Sequence, residues 1–503
     1  MPPEMVHNIL TSTNATAAAM KLGRWNELTK AEFYRFLGLW LAMCPKHPSR
    51  ADHWSPTPSE PMHAGFGFGC YMSRRRFDSI VSAFSLYRDD PDDNLLPARM
   101  LQKTFNEHMA KCYFPSWLVC VDESMSKWTQ RWTCPVWVIV PRKPTPMGIE
   151  FHTAADHENR ILFAVELVGD PKAVKYNNEC IGKTASLVMR MTESLFGSSR
   201  VVALDSGFGV IEVLHKLKEN GLYAVSIIKK KRYWPKYVGG QELNDKASAT
   251  EVVGGVVSRK GVFKHNDKTT EFFVVGQRDS KANILAMSTW GTTYQDPAKK
   301  IRRRIAPGPN GIAEFARPSV LRFYYVARHA VDDSNNTRQG TTSIEEVWAT
   351  KDWLCRIFGF FFGVIEANVR NAYNFIHKTN KSLADIRTEL MEGLILYGGE
   401  DRAGGKSKAS EATEAPTRKK GTKPDGWTGC WLGQTPKDHR YTKGGRFVPV
   451  ESDPDLPYLD TRRRCVLCPS SSSSKSNMFC TCNPAEALCL DHFMTHFVEK
   501  NVK

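Results

Sequence analysis

No run of about 20 apolar residues, the length a bilayer span needs, occurs in this sequence. The most apolar stretch, residues 357–365 (IFGFFFGVI), is nine residues long and follows Arg356. The opening MPPEMVHNIL lacks the charged segment and apolar core of a signal peptide, so neither a membrane span nor secretion is expected. Acidic residues are in short supply: 53 Asp+Glu against 69 Lys+Arg leave a formal charge of +16, a balance that favours a polyanionic partner. Cysteine is sparse along most of the chain, and five of the 13 fall between Cys465 and Cys489. Without an export signal, that clustering points to a metal site in a reducing compartment and away from a disulfide scaffold. Hydrophobic residues at 41 % exclude a mainly disordered chain, and 503 residues suggest two to four units.

Residues 1–116 read as a helical region. Thr29-Lys30-Ala31-Glu32 has the form of a capping box, and Phe33, Phe36, Leu37, Trp40 and Leu41 then recur on one helical face. A second helix is predicted from Ser73, burying Phe77, Ile80, Val81 and Phe84. Arg74, Arg75 and Arg76 in its first turn oppose the helix dipole, either as a solvated basic turn or as the seat of an anionic ligand. A third helix is expected from Pro97 to about residue 111.

The pattern changes at Trp117. Leu118-Val119-Cys120-Val121 reads as a buried strand ending in Asp122. Residues 149–155 and 161–167 form a predicted hairpin, 183–196 a helix, Val201-Val202-Ala203-Leu204 a strand ending in Asp205, 210–220 a helix and 222–228 a strand. Residues 117–228 are therefore expected to be the first part of an α/β core, a mixed sheet flanked by helices. Residues 229–317, with basic clusters and short β-like runs, read as an inserted β-rich subdomain. Residues 318–397 return to the core through a strand at 321–326 and a long helix or helix pair over 343–376. Residues 398–461 read as a basic flexible linker, lacking aromatics over 398–423, and 462–503 as a compact Cys/His module.

Asp122 and Asp205 each end an apolar strand, and side chains leaving adjacent strand ends converge in one crevice. Carboxylates suit Mg²⁺, and two such ions can activate an attacking oxygen and stabilise the leaving one at phosphorus. Asp332 or Asp333, just before the long helix, is available as a third acid. Lys229, Lys230, Lys231, Arg232, Tyr233 and Trp234 interleave charge with aromatics, suited to phosphate contact and base stacking. A second run contains Arg302, Arg303 and Arg304. In the tail, Cys465, Cys468, Cys480, Cys482, Cys489, His492 and His496 supply seven candidate Zn²⁺ ligands. A tetrahedral site takes four, so one or two ions are expected, with Asp491, Cys430 or water open as an eighth ligand.

Residues 71–87 (YMSRRRFDSIVSAFSLY), 121–150 (with Pro141-Arg142-Lys143-Pro144 and Gly148-Ile149) and 203–207 (ALDSG) resemble the piggyBac transposase family. The resemblance runs from about Trp25 to Lys378 and resumes in the Cys-rich tail. It implies a ribonuclease H-like catalytic core with a triad of metal-binding aspartates and an inserted domain. Asp122 matches the first acid, Asp205 the second and Asp332 best fits the third, with Asp333 as the alternative; Asn335 stands where piggyBac itself carries another acid. Trp353 aligns with a tryptophan near the active site that supports an unpaired base, or else belongs to the core with Phe358 and Phe361. The tail resembles a cross-brace zinc domain that binds transposon-end DNA in some members.

Cut-and-paste transposition is the implied activity: nicking of double-stranded DNA at a transposon end, hairpin formation and opening, and joining to a TTAA target. A homodimer and a nuclear location are implied with it, and Arg418-Lys419-Lys420 is a weak import candidate. The alternative is a domesticated DNA-binding descendant that no longer transposes, favoured by Asn335 and by the short segment before the resemblance.

Overall fold

The computed structural model describes residues 1–397 apart from 46–49, 56–66, 88–89, 91, 179–181, 229–239, 266, 306–310 and 341; beyond 397 it describes only short strands between residues 432 and 480. The N-terminal region is helical, as its periodicity dictates: α1 (Pro3–Ala19), α2 (Lys30–Met43), α3 (Arg74–Ala83) and α4 (Leu96–Cys112). The sequence reading missed α1, because its buried face holds only Met5, Val6 and Ile9 as large apolar residues, continued by Thr13 and Ala17.

Only half of the expected capping box forms. The Thr29 hydroxyl accepts from the Glu32 N–H at 3.2 Å, but the Glu32 carboxylate forks onto the Arg76 guanidinium, at 2.8 Å from Nε and 2.7 Å from Nη2. A bidentate ion pair gains more than a return bond to one N–H. The same contact accounts for one of the cations opening α3, and Asp78 lies 3.5 Å from Arg74. Internal carboxylates thus pair with two of the three cations in that first turn.

The centre of the chain is a nine-stranded mixed sheet. Its first strands are β1 (Leu118–Lys127), β2 (Trp137–Ile139), β3 (Met147–Asp156) and β4 (Leu162–Leu167), and after helix α5 (Lys183–Thr192) comes β5 (Val201–Leu204). Helix α6 (Ile211–Glu219), β6 (Tyr223–Ile227) and α7 (Gly240–Ser248) follow, then β7 (Val256–His265), β8 (Lys268–Gln277) and β9 (Ile284–Ser288). The order is β2-β3-β1-β5-β6-β9-β8-β7, with β4 also paired to β3. β1, β5 and β6 run parallel, and β3 is antiparallel to β1. Alternation along β1 sends Val119 and Val121 into the core that contains α5 and α6 residues, while Leu118 and Cys120 face the opposite side.

The described residues of 229–317 hold five strands, and three of these continue the core sheet, β9 pairing antiparallel with β6. β10 (Gln295–Arg304) and β11 (Ile312–Pro318) form a separate two-stranded sheet. Residues 321–326 are not a strand. They lie in α8 (Ser319–Ala327), whose buried residues Val320, Leu321, Tyr324 and Ala327 sit at helical spacing. The aromatic-rich run imitates β composition, but the chain after Pro318 buries one helical face. Then come α9 (Ala330–Arg338), α10 (Ile344–Val347), the 25-residue α11 (Trp353–His377) and α12 (Leu383–Ile395). A helix pair over 343–376 is thus what forms. Among the described residues no helix is long and apolar enough to cross a membrane.

Residues 403–503 form a second unit. In it Leu432–Gln434 pairs with Met478–Cys480, and His439–Thr442 pairs with Phe447–Pro449 and Tyr458–Leu459. Cys480 closes a strand; Cys465, Cys468, Cys482, Cys489, His492 and His496 lie outside the described residues, as do Lys229, Lys230, Lys231, Arg232 and Trp234.

Candidate active site

The parallel register pairs Val121 with Leu204, so the next residues, Asp122 and Asp205, are neighbours where β5 ends. Both follow inward-facing aliphatic residues and therefore project to the Cys120 side of the sheet. Helices α8 and α9 cover that side; Cys120 Sγ donates to the carbonyl of Arg328, between them, at 3.9 Å. Asp332 lies in the first turn of α9. Burial, and then the charges of Asp122, Asp332 and Asp205, push the Cys120 thiol well up. One buried sulfur thus feels all three acids that the sequence singled out.

Asp122 is strongly perturbed by its surroundings. Burial raises its carboxyl to about 6; the Glu123 N–H and Lys143 pull it down, while Asp332 and Asp205 push it up. Its Oδ1 accepts from the Glu123 N–H at 2.8 Å, and Oδ2 takes no hydrogen bond from the described residues. Asp333, the alternative third acid, is committed elsewhere, at 2.8 Å from Arg160 Nε. Asp332 is exposed and acts on Asp122. Asn335 turns inward, accepting from Arg338 Nη2 at 3.2 Å.

β1 continues beyond the end of β5, and among the described residues no strand pairs with that edge there. Side chains take it up. The Glu123 carbonyl accepts from Lys143 Nζ at 3.2 Å. The Met125 carbonyl accepts from Arg338 Nη2 at 3.0 Å and Gln339 Nε2 at 2.7 Å. Arg142 pairs with the Glu123 carboxylate. Glu123 and Lys143 were not singled out as site residues by sequence reasoning; the available signal was the proline-flanked cation pair Arg142-Lys143, noted only as a family signature.

Three hard oxygen donors of this kind fit Mg²⁺ in chemistry. Among the described residues, however, no group of three or more His, Cys, Asp or Glu stands close enough to hold a metal ion.

The other expected contacts are dispersed. Arg302 Nε lies 2.9 Å from Glu314 across the β10–β11 pair, and Arg303 Nε 3.4 Å from Asp279; Arg302 and Arg304 are exposed on that hairpin. Trp353 opens α11, half-buried against the core. It lines a groove with Asp93, Thr133 and Lys351, a groove whose described lining includes none of the three acids.

Asp122, partway along β1, and Asp205, just past β5, thus lie side by side near the helix that bears Asp332, and the comparisons supply the family. Residues 1–373 match the model described as Transposase IS4, and the chain belongs to that family. Its fold is similar to that of piggyBac transposase, solved by cryo-EM as a synaptic complex with hairpin DNA. The TM-score is 0.58 at 18 % identity, over 97 % of this chain and 93 % of that one. The comparison with curated proteins gives no match.

Proposed function

We propose that this chain is a metal-dependent DNA strand transferase of the cut-and-paste type, built on a ribonuclease H-like core. The observation that carries the reading is the adjacency of Asp122, partway along β1, and Asp205, just past the end of β5, with the charge of Asp332 acting on the same spot from α9. In this reading Asp122, Asp205 and Asp332 hold two Mg²⁺ ions. When bound, such ions supply Lewis acidity to the attacking and leaving oxygens.

The chain's own part is positional. β1 and β5 fix two carboxylates, α9 brings the third, and Arg338 with Gln339 ties α9 to β1. In the nicking step a water oxygen forms a new bond to phosphorus. The bond from phosphorus to the 3′ oxygen breaks, that oxygen keeps the electron pair, and it takes up a proton as a free 3′-OH. Hairpin formation and joining to a TTAA target repeat this exchange with the 3′-OH as nucleophile, and hairpin opening repeats it with water.

The reading extends to the Cys/His tail as a module holding one or two Zn²⁺, to Lys229–Trp234 and Arg302–Arg304 as DNA contacts, to Trp353 as a support for an unpaired base, to a homodimer and to a nuclear location. The deciding experiment is a nicking reaction in Mg²⁺ on labelled transposon-end DNA, comparing wild type with Asp205→Asn. Cleavage by wild type, lost in Asp205→Asn, is expected. Equal cleavage by both removes the enzyme reading, and binding without cleavage by wild type favours a domesticated DNA-binding protein.

A further inference from the structure

We propose that Lys143 is the phosphate-binding cation of the acidic crevice, its ammonium seating a non-bridging oxygen of the DNA phosphate under attack. The inference rests on the strand-transferase reading and adds to it a substrate contact outside the three acids.

The placement comes from one residue's main chain. Glu123 lies beyond the end of β5, so its N–H and C=O both face the unpartnered edge of β1. The N–H donates to Asp122 Oδ1 at 2.8 Å, and the C=O accepts from Lys143 Nζ at 3.2 Å. Carboxylate and ammonium therefore stand side by side on that edge, at the mouth shared with Asp205.

The lysine is aimed. Its own N–H closes a turn onto the Val140 carbonyl at 3.0 Å, and the Val140 N–H donates to the Pro146 carbonyl at 2.7 Å. Pro141 and Pro144 restrict the backbone on either side. The Lys143 side chain is 21 % exposed, against 63 % for its neighbour Arg142, so it points in where Arg142 points out.

Its charge is engaged only loosely, by an ion pair to the Glu123 carboxylate. The Glu123 carboxylate is engaged by Arg142 and lies 3.7 Å from Nζ, so the closest partner of Nζ is a neutral carbonyl. An ammonium has three donors; one is used there. Four carboxylates around this mouth repel a nucleic-acid backbone, and once three of them are committed to cations the ammonium is left for a phosphate oxygen. Lysine binds phosphate as a point charge.

The test uses the full chain and a labelled DNA hairpin with a TTAA loop. In EDTA, the log–log dependence of affinity on salt should be shallower by about 0.9 for Lys143→Ala than for wild type, the loss of one phosphate contact. A methylphosphonate at the cleavable position should flatten the wild-type slope equally and leave that of Lys143→Ala unchanged. In Mg²⁺, hairpin opening should fall about 100-fold in Lys143→Ala and about 10-fold in Lys143→Arg, with both variants unfolding thermally within about 2 °C of wild type. Equal opening by wild type and Lys143→Ala, or a full methylphosphonate effect in Lys143→Ala, overturns the assignment and leaves the strand-transferase reading standing. A wild type inert on both the hairpin and the nicking substrate removes that reading, and the role of Lys143 with it.

Discussion

The Arg338 guanidinium meets the Glu345 carboxylate in the protein interior, the first with no exposed surface and the second 7 % exposed. The Ser126 hydroxyl donates to the other carboxylate oxygen, so the pair joins α9, α10 and β1. Arg338 also stacks over the Phe360 ring at 4.5 Å. Removing one member of a buried pair strands the other charge, at about 3–5 kcal/mol. Arg338→Met should lower stability to urea by that amount. Nicking should fall with it, because the helix bearing Asp332 loses its tie to β1.

Asp122 carries the opposite balance. Its carboxyl titrates near 6 in the folded chain, against 3.8 ordinarily. A raised carboxyl contributes stability below about pH 4, and that contribution is lost as pH rises through 6. Asp122→Asn should therefore stabilise the protein in EDTA at pH 8 by about 1–3 kcal/mol, leave it unchanged near pH 3.5, and abolish nicking. Thermal melts at the two pH values read the first part; no gain at pH 8 contradicts it.

Asp156 shows the reverse sign. Burial pushes its carboxyl up, but His157, the Ser116 hydroxyl and the N–H groups of Glu158 and Ser116 outweigh that and hold it down at about 2. The stability it supplies is present above about pH 4 and is lost as pH falls toward 2. Asp156→Asn should cost about 2–3 kcal/mol at pH 7 and little at pH 2, as read by denaturant midpoints. Because Asp156 pairs with Val119 at the start of β1, the loss should fray the strand end opposite the acids.

The β10–β11 hairpin predicts a salt effect. If Arg302 and Arg304 reach DNA phosphates, replacing each by Ala should reduce the log–log salt slope of DNA binding by about 0.9. Titration of a fluorescent duplex at several salt concentrations measures it, and unchanged slopes leave Arg302 with Glu314 alone.

The tail predicts metal content. Elemental analysis of the purified chain should find one or two Zn²⁺ per molecule, and Cys465→Ser with Cys468→Ser should remove at least one. Affinity for transposon-end DNA should drop in step.

Much of the site was legible because a single charge ending a short apolar run stands out in sequence, as at Asp122 and Asp205. The hairpin of β3 and β4 and the face of α2 were equally plain. α8 was misread because Phe323, Tyr324 and Tyr325 give a strand's composition, and only the Val320, Leu321, Tyr324 and Ala327 spacing betrays the helix. Glu32 was assigned to a cap because Arg76, 44 residues on, has no local signature. Lys143 escaped for a similar reason: its partner is a main-chain carbonyl 20 residues away, and a carbonyl leaves no mark in the alphabet of side chains.

A bare strand edge is a template on which another polypeptide can build. Along residues 122–127 of β1, roughly 16–20 Å at about 3.3 Å per residue, that hazard is met with an amine, a guanidinium and an amide in place of a further strand. The ledge can thus lie open to a guest built of phosphates and sugars while refusing one built of peptide bonds.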